Sequence, residues 1–199
     1  MDGTAAAAVR LFAGFAGFGA GSVNLAIASS LLAGLAGAAE AAGRAIHWLI
    51  PMALLPALWG VALIIWTVLA LRNGRDSVPR TATVLLLLAA AVHLVSIAAI
   101  RGEVASGLNA SHLAAILLTL MILASSGWLK RQQQSGNYDG VLPATASPRP
   151  GRLLLAAFAG AVAVAGVATP GLAASTAGEY AVPHGQHDSH APDLAQHHP

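Results

Sequence analysis

The chain contains no cysteine. Disulfides, thiolate metal ligands, iron-sulfur ligation and a cysteine nucleophile are thereby excluded, so a metal site must use histidine, carboxylate, methionine or backbone oxygen. Charge is equally scarce. Only 9% of the 199 residues are Asp, Glu, Lys or Arg, against about a quarter in an ordinary soluble domain. The small surplus of positive charge, +2 overall, has no basic stripe and no interleaved aromatics, which argues against a nucleic-acid partner. There is no phosphate-binding glycine loop, no serine-hydrolase elbow and no HExxH pair. All five Asp lie in polar ends or loops, so paired intramembrane aspartates are missing too. Met52 and Met121 stand alone and make no paired-methionine copper conduit. Together these gaps point away from an enzyme.

What is present is apolar: 56% of residues are hydrophobic, more than a water-soluble core absorbs. They fall into runs of about twenty or more separated by short segments that hold nearly all the charge, the distribution expected when lipid is the solvent. The runs predict an all-α, polytopic membrane bundle of five transmembrane helices at residues 8–38, 46–71, 81–100, 112–129 and 153–169. The membrane domain is residues 1–174, and residues 175–199 form a flexible histidine-rich tail. The first segment exceeds the length of one crossing and reads as a retained span, not a cleaved signal, because Asp2 precedes its only Arg. Gly17 and Gly21 within it form a close-packing pair at helical spacing. Pro51 and Pro56 predict a kink or an interfacial start for the second span, and Pro170 with Gly171 the outer end of the fifth.

Basic residues set the expected orientation. Arg72, Arg75 and Arg80 share one loop, and Lys130, Arg131, Arg149 and Arg152 share another, two crossings away. Both belong in the cytoplasm. This predicts an N-terminus inside and a C-terminus outside, in the cell membrane, with the tail extracytoplasmic.

The tail, "AVPHGQHDSHAPDLAQHHP", holds five of the eight histidines. His184, His187 and His190 recur every three residues, with Asp188 beside the second and His197 and His198 farther on. Imidazole is a borderline-soft ligand and a carboxylate adds charge, so this set suits a divalent transition metal such as Cu, Zn or Ni. The plainer reading is a solubilising end, whose Pro and Gly content opposes a preformed site.

The expected topology puts the other three histidines, His47, His93 and His112, in the outer half on the tail's side. Glu40, Arg44 and His47 share one helical face at positions i, i+4 and i+7. A second candidate metal site is therefore His47, His93 and His112, joined by Glu40 or Glu103. The bland alternative leaves His47 and His112 as interfacial residues and His93 as a packing residue. Asn24, deep in the first span, binds across to another helix or lines a polar cavity.

The stretches "GAGSVNLAIA" and "LPALWGVALIIWTVLALR", with the fifth span leading into the histidine tail, resemble small multi-span membrane proteins of high-GC Gram-positive bacteria, some with histidine-rich ends. The resemblance covers the layout of most of the chain and carries no catalytic motif. Where such proteins more often have a His and a nearby acidic pair in the first span, this chain has Asn24. Three functions stay open: metal handling at the outer face, an accessory subunit of a membrane complex or a homo-oligomer, and a small permease. The lipid bilayer is the partner common to all three.

Overall fold

The computed structural model describes residues 3–41, 46–74, 78–99, 105–138 and 150–175. They form five α-helices, α1 Gly3–Ala41, α2 Ile46–Asn73, α3 Arg80–Ala99, α4 Ala105–Tyr138 and α5 Pro150–Ala173, with no strand among the described residues. Each contains a window long and apolar enough to cross a membrane. Helices are the expected outcome: hydrocarbon offers no partner for a free N–H or C=O, and a helix satisfies both within the segment.

Local chemistry sets the helix ends. Gly74 ends α2 with a left-handed φ of 58°, the conformation a glycine adopts at a helix C-terminus without a Cβ penalty. Pro79 precedes α3, and its carbonyl accepts the Thr83 N–H at 3.0 Å. Pro150 opens α5, where its missing N–H costs nothing. α2 is helical through Pro51 and Pro56. Two boundaries differ from the sequence reading. α5 passes Pro170 and ends at Ala173, since a proline in the last turn withholds only one donor from the preceding turn. α4 begins at Ala105, not at His112.

The inside and outside of the bundle are reversed relative to a soluble protein. Leu154 is 71% exposed and Leu58 68%, while Ala16, Ala20 and Ala115 are fully buried. Many large apolar side chains thus face outward, while the interior mixes alanines with a few larger ones such as Ile27, Leu118 and Ile122. This is a multi-pass membrane protein.

α1 is the central helix, with 61% of its span buried against 11% for α3 and α5. It packs on α2, α4 and α5, whereas among the described residues the backbone of α3 closely approaches only that of α4. Paired contacts give the directions. Gly14 meets Leu71, Gly17 meets Thr67 and Gly21 meets Gly60 and Ile64, so α2 runs antiparallel to α1. Phe12 meets Gly160 and Val23 meets Gly171, so α5 runs parallel to α1. The N-termini of α1, α3 and α5 therefore share one end of the bundle with the C-termini of α2 and α4. Every described cation (Arg10, Arg72, Arg80, Lys130, Arg131 and Arg152) lies toward that end, which we call the basic end. The far end takes the C-termini of α1, α3 and α5.

The α1–α2 seam is tight. A Cβ on Gly21 would sit 2.9 Å from the Gly60 carbonyl oxygen, and one on Gly60 would sit 2.7 Å from that of Gly21. Backbone faces backbone there, and backbone cannot yield as the far end of a side chain can. Gly21→Ala and Gly60→Ala are each expected to cost about 1–3 kcal/mol as overpacking. Gly34→Ala, which meets nothing within 4 Å, is the control. Unfolding midpoints in detergent check this, and equal midpoints for all three variants would contradict the seam.

Candidate functional site

α3 and α4 form an antiparallel hairpin. His93 lies six residues before the end of α3 and His112 seven residues after the start of α4, so the rise of about 1.5 Å per residue places both roughly 10 Å below the helix ends. At this matched depth the two imidazoles meet. Their Nδ1 atoms are 2.9 Å apart, with ring centroids separated by 5.2 Å and planes inclined by 50°. His93 is only 5% exposed and His112 only 7%.

An Nδ1-to-Nδ1 contact dictates the proton arrangement. A neutral imidazole carries one N–H and one bare nitrogen, so one ring must donate from Nδ1 while the other accepts there. The pair thus holds two different tautomers around one shared proton. Each ring satisfies the other's buried polar atom, which matters where an unpaired group has no water to turn to.

The neighbouring residue ties this site to the end of α5. Ser111 Oγ donates to the Gly171 carbonyl at 2.7 Å, with the Gly107 carbonyl at 3.2 Å. The need for it is visible in the backbone. In the last turn of α5, the Ala174 N–H goes to Pro170 O and the Ser175 N–H to Leu172 O, which leaves the Gly171 carbonyl for a side chain. Gly107 faces the Ala174 carbonyl and Gly171 faces Ala114 Cβ, so the two helices touch closely on either side of the bond. The last turns of α5 are thereby tied to the residue that precedes His112.

Of the residues nominated from sequence, His93 and His112 are brought together. Asn24 is 1% exposed, but it lies on the α2 side of α1, with its Cβ in the space a side chain on Gly60 would need. Its amide donates within its own helix, to the Ala20 carbonyl at 2.8 Å, instead of reaching across to another. Its Oδ1 is buried without a partner. Glu103 and the tail residues His184, His187, Asp188, His190, His197 and His198 lie outside the described residues, as do the side chains of Glu40 and His47. Among the described residues no three His, Asp or Glu cluster. The Ser111–Gly171 link was not foreseen. Its signal was a serine beside a histidine in one span and a proline near the end of another.

No known protein family matches the chain, and neither a curated protein nor a solved structure matches it.

The shared proton has a spectroscopic consequence. In ¹⁵N-histidine spectra of the detergent-solubilised chain, assigned by comparison with His93→Phe and His112→Phe, the two residues are expected as opposite neutral tautomers. Two identical tautomers would refute the hydrogen bond. Ser111→Ala is expected to lower unfolding free energy by about 0.6–1.7 kcal/mol, the range for interhelical hydrogen bonds in membranes.

Proposed function

We propose that this protein handles a divalent transition metal ion at one face of the plasma membrane, with His93 and His112 as the internal acceptor and the histidine-rich tail as the capturing element. The observation that carries the reading is the buried pair of imidazole nitrogens on the α3–α4 hairpin. Two imidazoles on a tetrahedral ion at about 2.0–2.1 Å stand about 3.3–3.4 Å apart by simple trigonometry. The observed 2.9 Å is short of that by about half an ångström, so an ion entering the pair displaces the shared proton and spreads the rings slightly. Two nitrogens leave the coordination shell incomplete, and the tail supplies further imidazoles and a carboxylate.

Placement supports such a hand-over. The end of α5 lies beside Gly107, about one turn from Ser111, and His184 is nine residues beyond Ser175. That length of chain reaches at most about 30 Å when extended, ample for a site roughly 10 Å deep. The proposed orientation puts this face outside the cell, since eight of the ten Lys and Arg belong to the basic end or its loops and only Arg44 and Arg101 to the other.

One observation favours the accessory-subunit reading alongside this one. α2 and α3 follow each other in sequence but their backbones stay apart, and between them lies an apolar cleft of about 170 Å³ lined by Trp59, Leu63, Trp66 and Leu86 among others. A bulky side chain from a partner's helix fits such a cleft, and co-purification from native membranes is the measurement that bears on it. The permease reading has an obstacle: Val23, Ile27, Leu118 and Ile122 fill the middle of the bundle almost without exposure.

Titration of the purified chain with Zn²⁺, Ni²⁺ and Cu²⁺ tests the proposal. Micromolar binding is expected to persist, weakened, after removal of residues 180–199 and to fall to background when that shortened chain also carries His93→Phe/His112→Phe. At a hundredfold excess of ion over Kd, the wild type gains about 2.7 kcal/mol of stability. Affinity no greater than that of a generic histidine peptide would sink the metal reading.

A further inference from the structure

A partner's side chain fills the α2–α3 cleft only where a partner is bound, and the place of that cleft in the bilayer points to another occupant. Its lining is tryptophan, leucine and alanine alone, with no hydroxyl, carboxylate or cation. Leu63 and Leu86 are its most buried members, and Ala62 and Ala82 leave room between the larger side chains. Only 17% of the α2 span and 11% of the α3 span is buried, so the cleft lies on the lipid-facing side of the bundle.

The helix register fixes its height. Ala82 is two residues into α3 from Arg80, and Trp66 is six residues before Arg72. At about 1.5 Å per residue, the upper end of the cleft lies roughly 3–9 Å below the backbones of the two arginines. Those arginines share one level. Thirteen residues back from His93 is Arg80, and thirteen on from its partner His112 is Ser125. Leu118 meets Gly19, so Ser125, seven residues on, comes level with Phe12 of α1. Leu71 meets Gly14, so Arg72 comes level with Ala13. Both arginines also stand at the ends of crossing segments, Ile50–Asn73 and Arg80–Ala99, the height at which lipid phosphates cover their acyl chains.

We propose that the α2–α3 cleft holds an acyl chain of one anionic phospholipid from the surrounding leaflet, with the lipid phosphate at Arg72 and Arg80. Charge selects the head group. The connection from Arg72 to Arg80 carries three arginines and one acid, Asp76, so whichever arginine that carboxylate faces, two positive charges are left at this level. The partial charges of the α2 C-terminus and the α3 N-terminus are of opposite sign and nearly cancel. A zwitterionic head leaves the surplus unanswered, and an anionic one meets it. The walls select the chain. An unfilled cleft forfeits dispersion contacts on one side of every lining atom, which an acyl chain restores. A polar solute would leave water for a surface that offers it no hydrogen bond.

Native mass spectrometry of the full chain in detergent, titrated with phosphatidylglycerol or with phosphatidylcholine of the same acyl chains, tests the site. A one-to-one adduct at least tenfold tighter with phosphatidylglycerol is expected. Arg72→Gln/Arg80→Gln is expected to abolish that preference. Ala62→Phe, which fills the cleft, is expected to weaken binding of both lipids at least tenfold. Arg152→Gln, which removes a cation at the same end but on α5, is expected to leave affinity within twofold. All four residues are exposed, and circular dichroism with monodispersity identifies the folded variants. Equal affinity for the two lipids would overturn the proposal, as would wild-type affinity in folded Ala62→Phe. An equal loss in Arg152→Gln would overturn it too, by marking a diffuse attraction to the whole basic face. So would a co-purifying protein that Ala62→Phe releases and that keeps lipid off the wild type, since the cleft then belongs to a partner's helix. Metal binding at the histidine pair is scored in the same samples and stands or falls separately.

Discussion

The bundle depends on how closely α2 approaches α1. In a bilayer, bringing two apolar helices together removes no surface from water, so attraction must come from dense packing and from polar contacts. The Gly21–Gly60 crossing lets two backbones touch, and the contacts above and below it follow in register along the seam. Because α1 also carries α4 and α5, its small-residue surface organises almost the whole interior. α3 is the exception. Among the described residues its backbone closely approaches only that of α4, and the His93–His112 bond is the one side-chain hydrogen bond between the two.

Hydropathy made the fold largely legible, for a simple reason. A crossing helix must be long and apolar whatever it packs against, so the five spans follow from the run lengths. What run length does not reveal is which side of a helix faces inward. "RGEVASGLNAS" reads as a polar connection, yet α4 begins within it, at Ala105. Ser111 explains the discrepancy: its hydroxyl faces the Gly107 and Gly171 carbonyls, so its polarity is used inside the protein. His112 consequently sits two turns inside a helix and not at its start. Asn24 shows the same limit in another form. Its burial was readable from its position, but its bond to Ala20 O depends on Gly60 approaching so closely that no side chain from α2 stands opposite.

The two candidate sites differ in kind because they lie at opposite ends of one electrostatic axis. At the far end, two neutral rings share a proton in a nearly closed space, and no described charge lies near them. At the basic end, Arg72 and Arg80 stand over an apolar cleft on the lipid-facing side. Between them the interior is filled by small and branched apolar side chains, and the buried hydroxyl of Thr119 bonds back along its own helix to Ala115 O.

The gathering of cations at one end also bears on how the chain is threaded into the bilayer. Arg152 is the last Lys or Arg in the sequence, so α5 beyond its first turn and the whole of residues 176–199 carry no permanent positive charge. In the proposed orientation this is the longest stretch that must be translocated. Moving one elementary charge through a membrane potential is worth about 2.3 kcal/mol per 100 mV, a barrier that each outward-moving lysine or arginine faces and a neutral imidazole does not. A tail whose basic groups are all histidines can cross unprotonated and acquire its cation, whether proton or metal, only after it arrives.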